Sequence, residues 1–157
     1  MASPVKPIPD GYPGATPYLI CKGAAQAIDF YKKAFGATEN FRLEGPGGKI
    51  GHAEIKIRDG AVIMLADEHP EMGALSPQSL GGTPVRIHVY VEDVDALARQ
   101  AEAAGAKIER PAADQFYGDR SCMIADPFGH FWGFATHIED LSVEEIRKRA
   151  EAKFGGN

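Results

Sequence analysis

The 157-residue chain contains only two cysteines and one tryptophan, and no long apolar run. Each shortage closes off a class of protein. Cys21 and Cys122 lie far apart with no C-x-x-C pair, which fits two reduced, small apolar side chains better than a disulfide framework or a zinc knuckle. A reactive thiol has no supporting context. No stretch approaches the roughly 18 apolar residues of a membrane span, and residues 1–10 (MASPVKPIPD) lack the apolar segment of a secretion signal. A cytoplasmic protein with no membrane partner is the expectation. The net charge is −5 and the basic residues are scattered, so the footprint of a nucleic-acid binder is missing. No Ser-His-Asp or Cys-His arrangement has a supporting context, and no phosphate-cradling loop is present.

What the chain does have is a unit that occurs twice. In the first copy Ala24, Ala27, Ile28, Tyr31 and Phe35 fall on one helix face, Gly36 follows, and Asp59-Gly60 separates two strand-like runs. In the second copy Val94, Leu97, Ala98 and Ala101 make the face, Gly105 follows, and Asp126-Pro127-Phe128-Gly129 separates the runs. The differences 105 − 36 and 129 − 60 are both 69, while the helix faces fit better at 70, so one residue has slipped in the loop before the helix. Two such units cannot each close a core alone, and joining them is expected to create a cleft between matching sheets.

The pattern divides the chain into an extended arm over 1–15, a first unit over 16–67, a linker over 68–84, a second unit over 85–138 and a C-terminal helix and tail over 139–157. The arm, with four prolines, either drapes on the surface or is disordered. Periodicity predicts strands over 17–21, 39–43, 52–57 and 61–66 with a helix over 24–35. It repeats the order with strands over 85–91, 107–109, 121–125 and 130–135 and a helix over 94–104. The Gly- and Pro-rich linker is expected to wrap from one sheet to the next or to lid the cleft. Ser142 and Glu145 form a capping box at the start of the last helix.

Two βαβββ units in tandem, with Ala27-Ile28-Asp29-Phe30-Tyr31, Val89-Tyr90-Val91-Glu92-Asp93-Val94 and Asp126-Pro127-Phe128-Gly129 in order, resemble the glyoxalase, bleomycin-resistance and extradiol-dioxygenase superfamily, also called vicinal oxygen chelate. The resemblance covers roughly residues 16–138. Tyr117-Gly118-Asp119-Arg120, His52-Ala53-Glu54 and the run Trp132 to His137 look most like its branch of phosphonate-operon-associated proteins. The resemblance implies an α+β fold in which two βαβββ units form a curved mixed sheet, as half-barrels, around a central cleft. It also implies a homodimer. Members that use a metal place ligands at positions that fall here near Thr16, Met64, Arg86 and Gly133. None is a good donor for a divalent ion, which needs imidazole, carboxylate or thiolate at about 2.0–2.3 Å. No cofactor is therefore expected, with a divalent metal ion as the alternative.

Arg86, His88 and Tyr90 alternate on one strand and share a face. Either they line the cleft and grip an anionic or planar ligand, or they are the polar side of a half-exposed strand. Tyr18 is their first-copy counterpart, and Tyr117 sits where bleomycin-type binding proteins have an aromatic-Gly-x-Arg segment, at the cleft mouth where it could stack on a ligand. His52 and Glu54 also share a face. With His88 they make a catalytic or fallback metal set, against the reading of a buried structural pair. Arg120 is expected to brace its loop against Asp126 or Asp119. Asp126 to Gly129 reads as turn geometry, Trp132 as a core or interface aromatic, His130 and His137 as surface groups, and Asp67-Glu68-His69 as a solvated loop. Two functions follow: a metal-free protein binding a small aromatic or anionic molecule, or a lyase, isomerase or dioxygenase that uses a divalent ion to hold two substrate oxygens.

Overall fold

The computed structural model describes residues 5–155, so residues 1–4 of the predicted arm and the last two of the tail lie outside the described residues. The chain divides after Gly82 into two compact units. Most of the predicted linker therefore travels with the first unit, where it carries a 3₁₀ turn at Pro70–Met72 and the short helix α2 at Pro77–Leu80.

In the first unit β1 (Tyr18–Cys21), α1 (Ala24–Phe35), β2 (Ala37–Glu44), β3 (Ile50–Ile57) and β4 (Val62–Asp67) follow in order. The four strands make one mixed sheet, β1-β4-β3-β2, in which only β1 and β4 are parallel. Helix α1 buries Ala24, Ala27, Ile28, Tyr31 and Phe35 as the periodicity predicts, and adds Phe30 and Ala34. Tyr31 and Phe35 stack at 5.6 Å. Leu19 and Cys21, with Ala53, Ile55, Ile63 and Leu65, are among the buried apolar positions of β1, β3 and β4. Burial on this scale is what holds a helix on a sheet, at about 1.5–3 kcal/mol per large apolar side chain.

The second unit repeats the plan with β5 (Arg86–Tyr90), α3 (Val94–Ala103), β6 (Lys107–Asp114), β7 (Asp119–Ala125) and β8 (Phe131–His137), in the order β5-β8-β7-β6. Trp132 and Phe134 are fully buried and stack at 6.2 Å. The predicted strand over 107–109 proves too short: β6 runs on through Pro111 to Asp114. A proline removes a ladder donor, so it is tolerated where a strand is at an edge and bulged. β6 is an edge strand, with register shifts between Ile108 and Arg110 and between Arg110 and Ala113. Helix α4 (Val143–Phe154) is capped by Ser142, whose hydroxyl accepts from the Glu145 N–H at 3.1 Å. The reciprocal half of the predicted box does not form, because the Glu145 carboxylate accepts from Arg149 Nε instead.

Asp67 and Glu68 are not the solvated loop that the sequence suggests. Helix α1 begins at Gly23, which has no side chain to cap it. Asp67, at the end of the neighbouring parallel strand, supplies the acceptors: Oδ1 takes the N–H groups of Gly23 and Ala24 at 3.0 and 2.8 Å, and Oδ2 takes that of Ile50 at 2.7 Å. Glu68 accepts from the Ser76 N–H at 2.8 Å. Asp126, read from sequence as turn geometry alone, also accepts from Phe128 N–H, His130 N–H and the Trp132 indole, each at 2.9 Å. Asp67→Ala strands three backbone donors and should cost about 1–3 kcal/mol of stability in urea unfolding. A loss below a few tenths of a kcal/mol would show that water replaces the carboxylate.

Candidate functional site

Cross-strand register decides which side chains can meet. Tyr18 pairs with Met64, Met64 with Glu54 and Glu54 with Phe41. The four lie in one row across β1, β4, β3 and β2 on a single face of the first sheet, since directly opposed residues share a face. His52, two residues before Glu54, is on the same face. The hairpin register that sequence left open by one residue is thereby fixed.

On this face four polar side chains form a chain of hydrogen bonds. The Tyr18 hydroxyl is 2.8 Å from His52 Nδ1, His52 Nε2 is 3.4 Å from Glu54 Oε1, and Glu54 Oε2 accepts from the Tyr12 hydroxyl at 2.5 Å. Glu54 is only 5% exposed. A carboxylate that deep is tolerated because both oxygens are engaged. Tyr12 belongs to the N-terminal arm, so the described part of the arm is tied to this face. Its phenol is held above the ordinary value by the hydrogen bond to Glu54, with burial and the carboxylate charge adding to it. Burial raises the Tyr18 phenol. The His52 ring lies 5.5 Å from that of Tyr18 and 5.7 Å from that of Phe41.

Beside this chain the first unit carries a cavity of about 560 Å³ that is open to solvent. Its apolar wall comes from Ile20 and Ala66 on the sheet, Pro46 in the turn after β2, and Met72 and Ala74 in the loop after β4; Tyr18 joins the wall to the polar chain. Lys49, Asp67, Glu68 and His69 add polar groups to the lining. Of these, Asp67 is spent on backbone amides. The Glu68 carboxyl is held at about 2 by the Ser76 and Ser79 hydroxyls and the Ser76 N–H. A cavity of this size with few polar groups is typical of a small-molecule site. Sequence reasoning reached Tyr18, His52 and Glu54 but missed Tyr12, which stood in a segment read only as an arm. The cavity loop was missed because it follows no period.

In the second unit Arg86, His88 and Tyr90 share an exposed face of β5, as their alternation predicts. The Tyr90 hydroxyl donates to Asp119 Oδ2 at 2.6 Å, and the His88 ring meets that of Tyr90 edge-on at 5.1 Å. Asp119 is buried and also faces His137 Nδ1 at 2.8 Å, whose Nε2 is 2.8 Å from Asp140. His137, expected as a plain surface group, thus joins Tyr90, Asp119 and Asp140 in one network. Its signal in the sequence was the Asp of Tyr117-Gly118-Asp119-Arg120. Tyr117 lies edge-on against Phe116 at 5.2 Å. Its loop is clasped by Gly118, whose carbonyl accepts from Ile138 and Glu139 and whose φ of +94° suits glycine. Arg120 is a brace, but on Asp95 and Asp114 rather than Asp126 or Asp119, because those two carboxylates are already engaged. Arg86 lines a smaller cavity of about 240 Å³ with Arg110, Glu109 and Phe131.

The positions that the family resemblance marks for a metal do not suit one. Met64 stands between Tyr18 and Glu54, and at Gly133 a Cβ would already sit 3.0 Å from His88 Nδ1. A thioether, a guanidinium, a hydroxyl and a glycine are not a donor set for a hard or borderline divalent ion. His52 and Glu54 belong to the first unit and His88 to the second. Among the described residues no group of three or more His, Cys, Asp or Glu is placed to hold a metal.

The second-unit network titrates with a definite sign. Hydrogen bonds to Asp119 and then Asp140 raise the His137 imidazole above its ordinary value, against the loss of hydration. Burial pushes the Asp119 carboxyl up, but the hydrogen bonds from Tyr90 and His137 outweigh it, and it titrates below its ordinary value. The His137 contribution is complete below about pH 6.5 and is lost as pH rises through the raised value. That of Asp119 is complete above about pH 4 and is lost as pH falls. An NMR titration should place His137 above about 6.5, and Asp119→Asn should lower it. An unmoved value in that variant would mean that the pairing does not hold the proton.

The family model described as Glyoxalase/Bleomycin resistance protein/Dioxygenase superfamily matches residues 15–134. The chain is 43% identical over 147 residues to an uncharacterized protein of Mycobacterium bovis, a match spanning 92% of this chain and 96% of that one. Among solved structures, TioX from Micromonospora sp. ML1 is similar at a TM-score of 0.63 and 27% identity, over 80% of this chain and 100% of that one. The fosfomycin resistance protein FosX from Listeria monocytogenes, complexed with Mn(II) and sulfate, shares the fold at a TM-score of 0.60 and 22% identity, over 88% and 98% of the two chains. No helix among the described residues is long and apolar enough to cross a membrane. With the matched span taking in the first βαβββ unit and the second as far as Phe134 in β8, the chain belongs to the glyoxalase, bleomycin-resistance and dioxygenase superfamily.

Proposed function

We propose that this protein binds a small, largely apolar or aromatic molecule, without the metal of the superfamily's enzymes. The supporting observation is the first-unit cavity of about 560 Å³, whose mainly apolar wall includes Tyr18. The exposed face carrying Arg86, His88 and Tyr90, with Tyr117, is a second ligand-contacting surface and favours an anionic or planar group. The motifs around Tyr117, His52 and Trp132 favour the branch of phosphonate-operon-associated members. We take it to work as a cytoplasmic homodimer.

A second reading is a divalent-metal-dependent lyase, isomerase or dioxygenase. The adjacent imidazole and carboxylate of His52 and Glu54 favour it. The fold shared with FosX is compatible with it.

Calorimetric titration of Mn²⁺, Fe²⁺, Ni²⁺ and Zn²⁺ into chelator-stripped protein separates the two, with no uptake expected. Tight uptake near one ion per chain would replace the first reading with the second. Fluorescence of anilinonaphthalene sulfonate should rise on binding, and Ile20→Asp, which sets a carboxylate in the apolar wall against the anionic probe, should weaken that binding at least about tenfold. Unchanged affinity would remove the ligand from this cavity. Arg86→Ala should weaken binding of an anionic probe and leave the melting temperature unchanged, because Arg86 is exposed. A collapse in stability would make Arg86 structural.

A further inference from the structure

The direction of the hydrogen bonds at Tyr18 selects among possible ligands. His52 Nε2 faces the Glu54 carboxylate. If Nε2 were bare, two acceptors would oppose each other in a nearly buried place, so the ring proton belongs on Nε2. In the neutral ring Nδ1 is then bare and can only accept, and the hydroxyl 2.8 Å away on Tyr18 must donate to it. Tyr12 donates to the other Glu54 oxygen and so keeps the carboxylate from turning away. The single proton of Tyr18 is committed, and what its oxygen has left for a ligand is lone pairs.

We infer that the cavity selects a molecule with an apolar body and a hydrogen-bond donor, such as a hydroxyaromatic compound, by means of Tyr18 acting as a fixed acceptor. This rests on the small-molecule reading and narrows its ligand class. An aromatic ether or a bare hydrocarbon of the same skeleton leaves the Tyr18 oxygen unpaired on desolvation, which is the kind of mismatch that discriminates strongly. The other polar lining groups are engaged elsewhere or are donors: Asp67 accepts from three backbone amides and Glu68 from Ser76, His69 Nδ1 pairs with Glu71 at 3.1 Å, and Lys49 is itself a donor. Tyr18 is half exposed, at 47%, so a ligand can reach it. In this scheme His52, Glu54 and Tyr12 are positioning residues that never touch the ligand.

The test compares naphthol, methoxynaphthalene and naphthalene as probes of the intact protein at about pH 8, above the ordinary imidazole range. Naphthol should bind at least about tenfold more tightly than its methyl ether. In Tyr18→Phe the preference should vanish. In His52→Leu it should shrink or invert, because the freed Tyr18 proton can then be donated to the ether oxygen. A purely structural His52 would lower all three affinities together and leave the ratio unchanged, which overturns the inference. Equal binding of the three probes to the unaltered protein overturns it as well, while the small-molecule reading stands. Failure of all three, with anilinonaphthalene sulfonate still bound, also overturns it. If no aromatic probe binds at all, the small-molecule reading itself fails.

Discussion

In each unit the last strand ends on a side-chain oxygen that accepts the first amide of that unit's helix, and the geometry of the sheet hangs on this tie. Asp67 does it for α1 and Thr136 for α3, where Thr136 Oγ1 accepts from the Val94 N–H at 2.9 Å and donates to the Val91 carbonyl at 3.0 Å. The topology makes the tie possible. A parallel pairing of first and last strands brings the end of the last strand beside the turn that leads from the first strand into the helix. The N-terminal amides of a helix are orphans that need acceptors, and a side chain delivered from the sheet both satisfies them and fixes where the helix lands. The two positions differ by 69, the spacing that the glycines keep. The repeat thus extends to a pair of unlike residues doing one job.

With the helix fixed over one face, the other face of the first sheet is left to carry polar groups. Tyr18, Met64, Glu54 and Phe41 form a row on it. A buried carboxylate there is costly unless each oxygen is met. Tyr12 and His52 meet the two oxygens, and the bond to His52 in turn orients the imidazole against Tyr18. One buried group therefore sets the direction of three others. The cavity beside them is mostly apolar because its wall is strand and turn carbon, so the one oriented oxygen stands out as its specific feature.

The second unit uses the same residue types differently. There the acid is Asp119, its partners are Tyr90 and His137, and the pocket nearest Arg86 is small. Gly133 falls near a position that the family resemblance marks for a metal ligand, and the His88 ring occupies the room that a side chain would need. A duplicated fold has thus kept its backbone spacing while the two copies diverged on the faces that carry chemistry. That is the usual division between positions held by packing and positions free to serve a site.

Both helices, the strand order and the shared faces of Arg86 with His88 and Tyr90, and of His52 with Glu54, were legible in the sequence. They depend on periods of 3.6 and 2, which local backbone geometry enforces within a segment. The family membership was legible for a related reason, since the helix, hairpin turn and Asp-Pro-Phe-Gly motifs occur in a fixed order. What only the tertiary structure decided is every partnership between segments far apart in the chain. Asp67 looked like part of a solvated loop and proved to be a cap 43 residues from Ala24. Tyr12 looked like arm and proved to hold Glu54. Arg120 was a brace as read, but on a different carboxylate. Such pairings are fixed by strand register and loop path, and a shift of one residue in either reverses them. The sequence by itself determined which faces exist; the register determined what meets on them.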